Sequence, residues 1–207
     1  MTKAQGGRPS PARLDRDTVV RAALDVLDEE GLDAVSTRAI ATRLGVRMNT
    51  VLWHVKSKAR LRELMADAIL GQVDLADLPE DWRERAAEVP RRLRRALLAH
   101  RDGASAVVGA HAAEPGTLRF AEALAAALIA GGVPRVAWTL WTLVHLTLGL
   151  VREEQAASGD DRLADALDAA PGDYPSLRAV ADDLEPTAFA QRLDHGVTLV
   201  LRTLEPH

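Results

Sequence analysis

The sequence predicts an all-α protein in two parts: a three-helix head at the amino terminus and a larger helical body. Three observations carry this. Apolar residues recur at spacings of three and four in successive stretches from Val20 to Leu204, and no strand-like alternation of convincing length appears. Glycine and proline fall mainly where such stretches begin or end. Charge is unevenly divided, twelve Lys or Arg against seven Asp or Glu in residues 1–62 and fourteen against twenty-three in residues 63–207.

Residues 1–14 read as a flexible arm, made basic by Lys3, Arg8 and Arg13 together with Arg16 just after it. Such an arm lies along phosphates or in a minor groove, or is simply solvated. The head is expected over residues 15–75. Its first helix starts at Asp15, a side chain suited to capping, and runs to Glu30, where Gly31 stops it. Val20, Ala23, Leu24 and Leu27 give it one apolar face. Ser36 or Thr37 caps a second helix to Leu44, with Ile40 and Ala41 inward. Gly45 supplies a turn in which a left-handed conformation costs little, and a third helix spans Met48 to His54.

Helix, short glycine turn and helix over residues 36–55 is the helix-turn-helix arrangement, whose second helix enters the major groove of double-stranded DNA. On that geometry Arg47, Met48, Asn49 and Thr50 face base edges, while Val51 and Val55 turn inward. Trp53, His54, Lys56 and Lys58 are suitable phosphate donors, and Arg38 reaches a phosphate or a guanine edge. The other place for Trp53 is the core of the head. Residues 34–62 hold seven Lys or Arg and no acidic residue, the electrostatic footprint of a nucleic-acid contact. Ser57 caps a fourth helix to about Val73, long enough to leave the head and enter the body.

The body, residues 76–207, continues in helices. The first runs from Trp82 to His100, interrupted or kinked at Pro90. A short helix follows within residues 101–111, flanked by Gly103 and Gly109. Glu114-Pro115-Gly116 forms a turn, and Thr117 to Ala130 a further helix. From Pro134 to about Ala156 the chain is apolar almost all round, which in an isolated bundle leaves a face without a partner. Residues 158–175 read as a loop, Ser176 to Leu184 as a short helix, and Pro186 to Leu204 as the last helix.

The run LDRDTVVRAALDVLDEEGLDAVSTRAIATRLGV followed by LWHVKSKARLRELMADAIL resembles the tetracycline-repressor (TetR) family of dimeric regulators. ALLAHRDGA and HLTLGLVREEQ extend the likeness into the body. The resemblance implies DNA-contacting roles for Thr37, Arg38, Thr50, Trp53, His54 and Lys58. It also implies a homodimer formed by helices 134–156 and 186–204. Met48, Asn49 and Leu52 stand where the tetracycline repressors carry Gln, Pro and a DNA-contacting Tyr, so a different operator is expected. Their effector, a magnesium chelate of tetracycline, is held partly by residues matching Val107, Ala110 and Val89. Two apolar side chains and a methyl offer Mg²⁺ no oxygen ligand, and only Glu153, matching an acidic residue that the resemblance implies is contributed across the dimer, is kept, so a metal-free and more apolar effector is expected.

Catalytic patterns are missing. The sequence has no Cys, no G-x-S-x-G elbow, no P-loop and no G-x-G-x-x-G, and no His lies three residues after a Glu. His100, His111 and His145 are isolated polar groups on apolar helices, either satisfied in the core or anchoring a ligand. Trp82, His100, Phe120, Trp138, Trp141 and His145 are the candidates for an effector pocket. Trp138 and Trp141 share a face and fit either a pocket wall or dimer packing. No cofactor or metal is expected. With no Cys, no signal-like start and an apolar run too short for a span, a cytoplasmic protein that does not enter the membrane is expected. The reading is a dimeric ligand-responsive regulator, a repressor, on a palindromic operator. Its rivals are a helical small-molecule-binding protein or enzyme with a vestigial head, and a sequence-tolerant architectural DNA binder.

Overall fold

A computed structural model describes residues 14–110, 113–157, 167, 169–183 and 188–202. Among these the regular structure is entirely helical. Helix α1 (Arg16–Glu30) is capped by Asp15, whose carboxylate accepts the Thr18 N–H at 2.8 Å. That backbone hydrogen bond holds the Asp15 carboxyl below its ordinary value. Gly31, at φ 89°, ends the helix. In α2 (Thr37–Leu44) the Ser36 hydroxyl accepts the Ala39 N–H, and Gly45 closes the helix in the left-handed region at φ 64°, ψ 30°. Helix α3 (Met48–Val55) follows after Val46 and Arg47. Helix α4 (Lys58–Leu70), capped by Ser57, ends three residues before the expected Val73. Its last turn tightens, Gln72 and Val73 donating to Ile69 and Leu70 three residues back, and Val73 is still buried.

Helix α5 (Trp82–Leu98) runs through Pro90 as one element, with no interruption. Pro90 is buried beside Val89 and Leu93, and this packing outweighs its one missing hydrogen bond. Helix α6 is only Gly103–Val107, and Gly103 belongs to it rather than flanking it. A Cβ at Gly103 would lie 2.1 Å from the Leu97 carbonyl oxygen, so the close chain reversal requires glycine there. Helix α7 (Pro115–Ala130) begins two residues before the expected Thr117, because Pro115 occupies its first turn, where no N–H is needed. Helix α8 (Val136–Ala156) begins after Pro134, since Arg135 is left-handed at φ 53°. Helix α9 (Pro175–Ala179) is followed by a 3₁₀ turn at Ala181–Asp183, and the last helix is described as α10 (Phe189–Arg202). The expected arm up to Arg13, His111, most of the 158–175 loop, Leu184, Pro186 and Leu204 lie outside the described residues.

One apolar cluster runs from Val19 and Leu27 in α1, through Ile40, Val51 and Val55, to Leu93, Leu124, Leu143, Leu193 and Val197. Helix α5 sits at the middle of the body, packed on α4, α7, α8 and α10. Helix α4 packs against α1, α5, α6 and α7 and so belongs to both parts.

Candidate nucleic-acid interface and ligand cavity

Helix α3 is divided lengthwise. Val51 and Val55 are fully buried against α1 and α2, whereas Arg47, Met48, Asn49 and Thr50 are all exposed at its start. Trp53 is 69% exposed, which removes it from the core of the head. The Trp53 and His54 rings meet edge to face at 4.8 Å, and the Lys56 ammonium lies over the indole at 5.3 Å. Arg38 and Lys58 are exposed and Thr37 is half-buried at the first turn of α2.

Two of the seven basic residues of this region are already matched within the chain. Arg43 pairs with Glu29 and lies 3.6 Å from Asp25; its hydrogen bonds hold the Glu29 carboxyl below its ordinary value. Arg60 pairs with Glu63 at 2.9 Å and Glu114 at 2.5 Å. Arg38, Arg47, Lys56, Lys58 and Arg62 form no ion pair among the described residues, so the positive charge concentrates at α3 and its flanks.

The head joins the body through a polar knot that the sequence did not announce. His100 Nδ1 lies 3.0 and 3.1 Å from the Asp28 carboxylate oxygens, and its Nε2 3.0 Å from Gln72 Oε1. Beside it the Arg101 N–H donates to Asp28, and Asp102 accepts the Leu32 N–H at 2.9 Å. The end of α1 is thereby tied to the turn that opens α6.

A cavity of about 490 Å³ opens between α4, α5, α6, α7 and α8. Leu93, Val107, Phe120, Leu140, Val144 and Leu148 make most of its wall apolar, and Ala110 lies at its edge. Among the described residues the polar side chains on it are Thr117, Trp141, His145 and Arg152. Three of the six expected pocket residues, Phe120, Trp141 and His145, therefore line it. The other three do not. Trp82 opens α5 and packs on Gly131, where a Cβ would come within 2.3 Å of the indole. His100 is committed to Asp28 and Gln72. Trp138 is rotated outward on α8, 67% exposed with the Arg135 guanidinium over its ring at 4.6 Å. Val89 is buried in the core and does not line the cavity. Arg152 was missed, although its spacing of seven from His145 places both on one face of a helix.

The lining does not suit magnesium. Among the described residues Thr117 is its one side-chain hydroxyl, that hydroxyl donates to Asp67, and no carboxylate lines the wall. No cluster of three or more His or carboxylate side chains able to hold a metal occurs among the described residues.

Residues 75–204 match the family described as tetracyclin repressor-like, C-terminal domain, and residues 19–65 match bacterial regulatory proteins, tetR family. The chain belongs to the TetR family. Like the other members of this family, the protein is a transcriptional regulator and not an enzyme. It is 33% identical over 201 residues to the tetracycline repressor protein class G of Vibrio anguillarum, covering 93% of this chain and 94% of that one. The Streptomyces coelicolor TetR family protein ActR, solved in complex with actinorhodin, aligns with a TM-score of 0.82 at 27% identity, over 93% of this chain and 96% of that one. BioQ, solved with its double-stranded DNA operator, aligns with a TM-score of 0.69 at 29% identity, over 94% and 100%. No described helix of this TetR-family chain is long and apolar enough to cross a membrane.

Proposed function

We propose that this TetR-family regulator is a homodimeric repressor that releases a palindromic operator when a small, largely apolar ligand enters the cavity. The division of α3 carries the reading: a helix fixed by Val51 and Val55 presents Arg47, Met48, Asn49 and Thr50 rigidly to solvent. These four meet base edges, while Thr37, Arg38, Trp53, His54 and Lys58 hold phosphates and set register. Dimerisation uses α8 and α10, placing two α3 helices about 34–36 Å apart on successive major grooves. A DNA partner makes the cytoplasm the compartment of action. The structures of BioQ on an operator and ActR on a small molecule support the two halves of the reading by analogy.

Ligand coupling follows from position. Helix α6 ends at Val107 on the cavity wall and begins three residues after His100, which touches the head. A ligand that fits one placement of this turn better than another shifts the DNA-bound population by its differential affinity. The cavity of this chain does not take tetracycline through a metal: titration of the protein with tetracycline in excess Mg²⁺ should show no binding, and micromolar affinity would refute this.

Selection of bound duplexes from a random pool, with the winners remeasured at several salt concentrations, tests the DNA half. A palindrome is expected. Steep salt dependence without sequence preference would make the protein an architectural binder instead. No binding at all by the folded dimer would leave the cavity as the functional part.

A further inference from the structure

We propose that the ligand of this cavity is a flat, elongated aromatic acid, taken without a metal ion, whose acid group is held by Arg152. The inference rests on the cavity being the effector site and adds the ligand's chemistry. One face of α8 supplies that chemistry. Trp141, His145, Gly149 and Arg152 succeed one another at helical spacing, and all four line the cavity. The indole and imidazole are stacked, their centroids 5.3 Å apart and their planes 26° apart, an aromatic pair on the cavity wall against which a further ring can pack. A Cβ at Gly149 would meet nothing within 4 Å. This glycine, a poor helix former in the middle of α8, makes room for no described neighbour and leaves bare backbone between His145 and Arg152. Phe120 of α7 borders the same space.

Charge decides the rest. Four of the six arginines of α5 are matched by acidic side chains within the chain, Arg91 by Asp194, Arg94 by Glu154, and Arg92 and Arg95 by Glu88. Arg152 forms no ion pair among the described residues, and no acidic side chain shares the cavity wall with it. An arginine at the exposed side of an apolar cavity, without a counter-charge among the described residues, selects an anionic ligand, and its fork favours a carboxylate or sulfonate. Trp141 and Arg152 are eleven residues apart, about 16 Å along the helix axis, a span suited to fused rings rather than a single one.

A matched pair of fluorescent probes tests this. 1-Anilinonaphthalene-8-sulfonate carries an acid group, and N-phenyl-1-naphthylamine is its neutral counterpart. With the full-length protein the acid should bind about tenfold more tightly or better, one per chain. Arg152→Met, an exposed position, should bring the acid to the level of the neutral probe and leave the latter unchanged. Ala121→Phe, intruding from α7, should displace both probes; Leu118→Trp at the exposed rim repeats that test if the first variant unfolds. Equal binding of the two probes, both displaced by the blocking variant, keeps the cavity as the ligand site and overturns the acid anchor. Binding of neither probe, or indifference to both blocking variants, overturns the cavity reading and this inference with it. Glu153→Gln should leave the preference unchanged. Preference for the acid in that variant alone would mean that Glu153 of a second copy neutralises Arg152, and the proposal would fall.

Discussion

Asn49 is the second residue of α3 and Lys58 the first of α4, both exposed, yet their side chains suit different tasks. A carboxamide donates and accepts in one plane and so distinguishes adenine from other bases, whereas an ammonium is a point charge that any phosphate satisfies. Lys58→Ala is expected to weaken binding to every duplex and reduce the salt slope by about one, and Asn49→Ala to alter preference at one base position. Titrations on the selected site and its single-base variants at several salt concentrations separate the two; equal effects of both on every duplex would contradict the assignment. His100 shows where residue-level reading stops. Its type and apolar surroundings are visible in the sequence, but its partners lie 28 and 72 positions away, at Gln72 and Asp28. His100→Ala strips partners from both, and the expected loss is about 1–3 kcal/mol in urea unfolding.

Helix boundaries were most legible where one side chain sets them locally: Asp15, Ser36 and Ser57 as caps, Gly31 and Gly45 as stops. They were least legible where packing or a neighbouring helix decides. Pro115 reads equally well as a turn residue and as the first turn of a helix, and the Thr117 N–H bound by Asp67 of α4 is part of what holds it helical. Helix α5 carries charge in a way the sequence shows only as a run of arginines. Glu88 receives Arg95 at 2.9 Å and Arg92 at 3.0 Å, with Arg91 at 3.7 Å. Burial pushes its carboxyl up, but the hydrogen bonds from Arg95 and Arg92 outweigh this and hold it below the ordinary 4.5. A carboxyl with a lower value folded than unfolded contributes stability in full above pH 4.5, and loses it as pH falls through the folded value. Glu88→Gln should therefore cost about 1 kcal/mol at neutral pH and match the parent in acid, as read from unfolding midpoints across pH.

At the scale of the whole molecule, the helix-turn-helix was legible because its signals are local, while the assignment of faces on α8 was not. Trp138 and Trp141 are three residues apart, and only the positions of α4, α5 and α7 reveal that one turns to the cavity and the other away. An indole 67% exposed on a mostly apolar helix is a sign of a surface awaiting cover. If α8 meets its copy there, Trp138→Glu places two like charges in a desolvated contact and should yield a monomer by sedimentation, with α3 untouched. Affinity for the palindrome should then fall toward that for an isolated half-site, since two tethered heads no longer bind as one. The thermal midpoint, rising with protein concentration in the parent, should become independent of it. A variant that stays dimeric and keeps full operator affinity would move the interface to another part of the body and leave Trp138 as exposed surface.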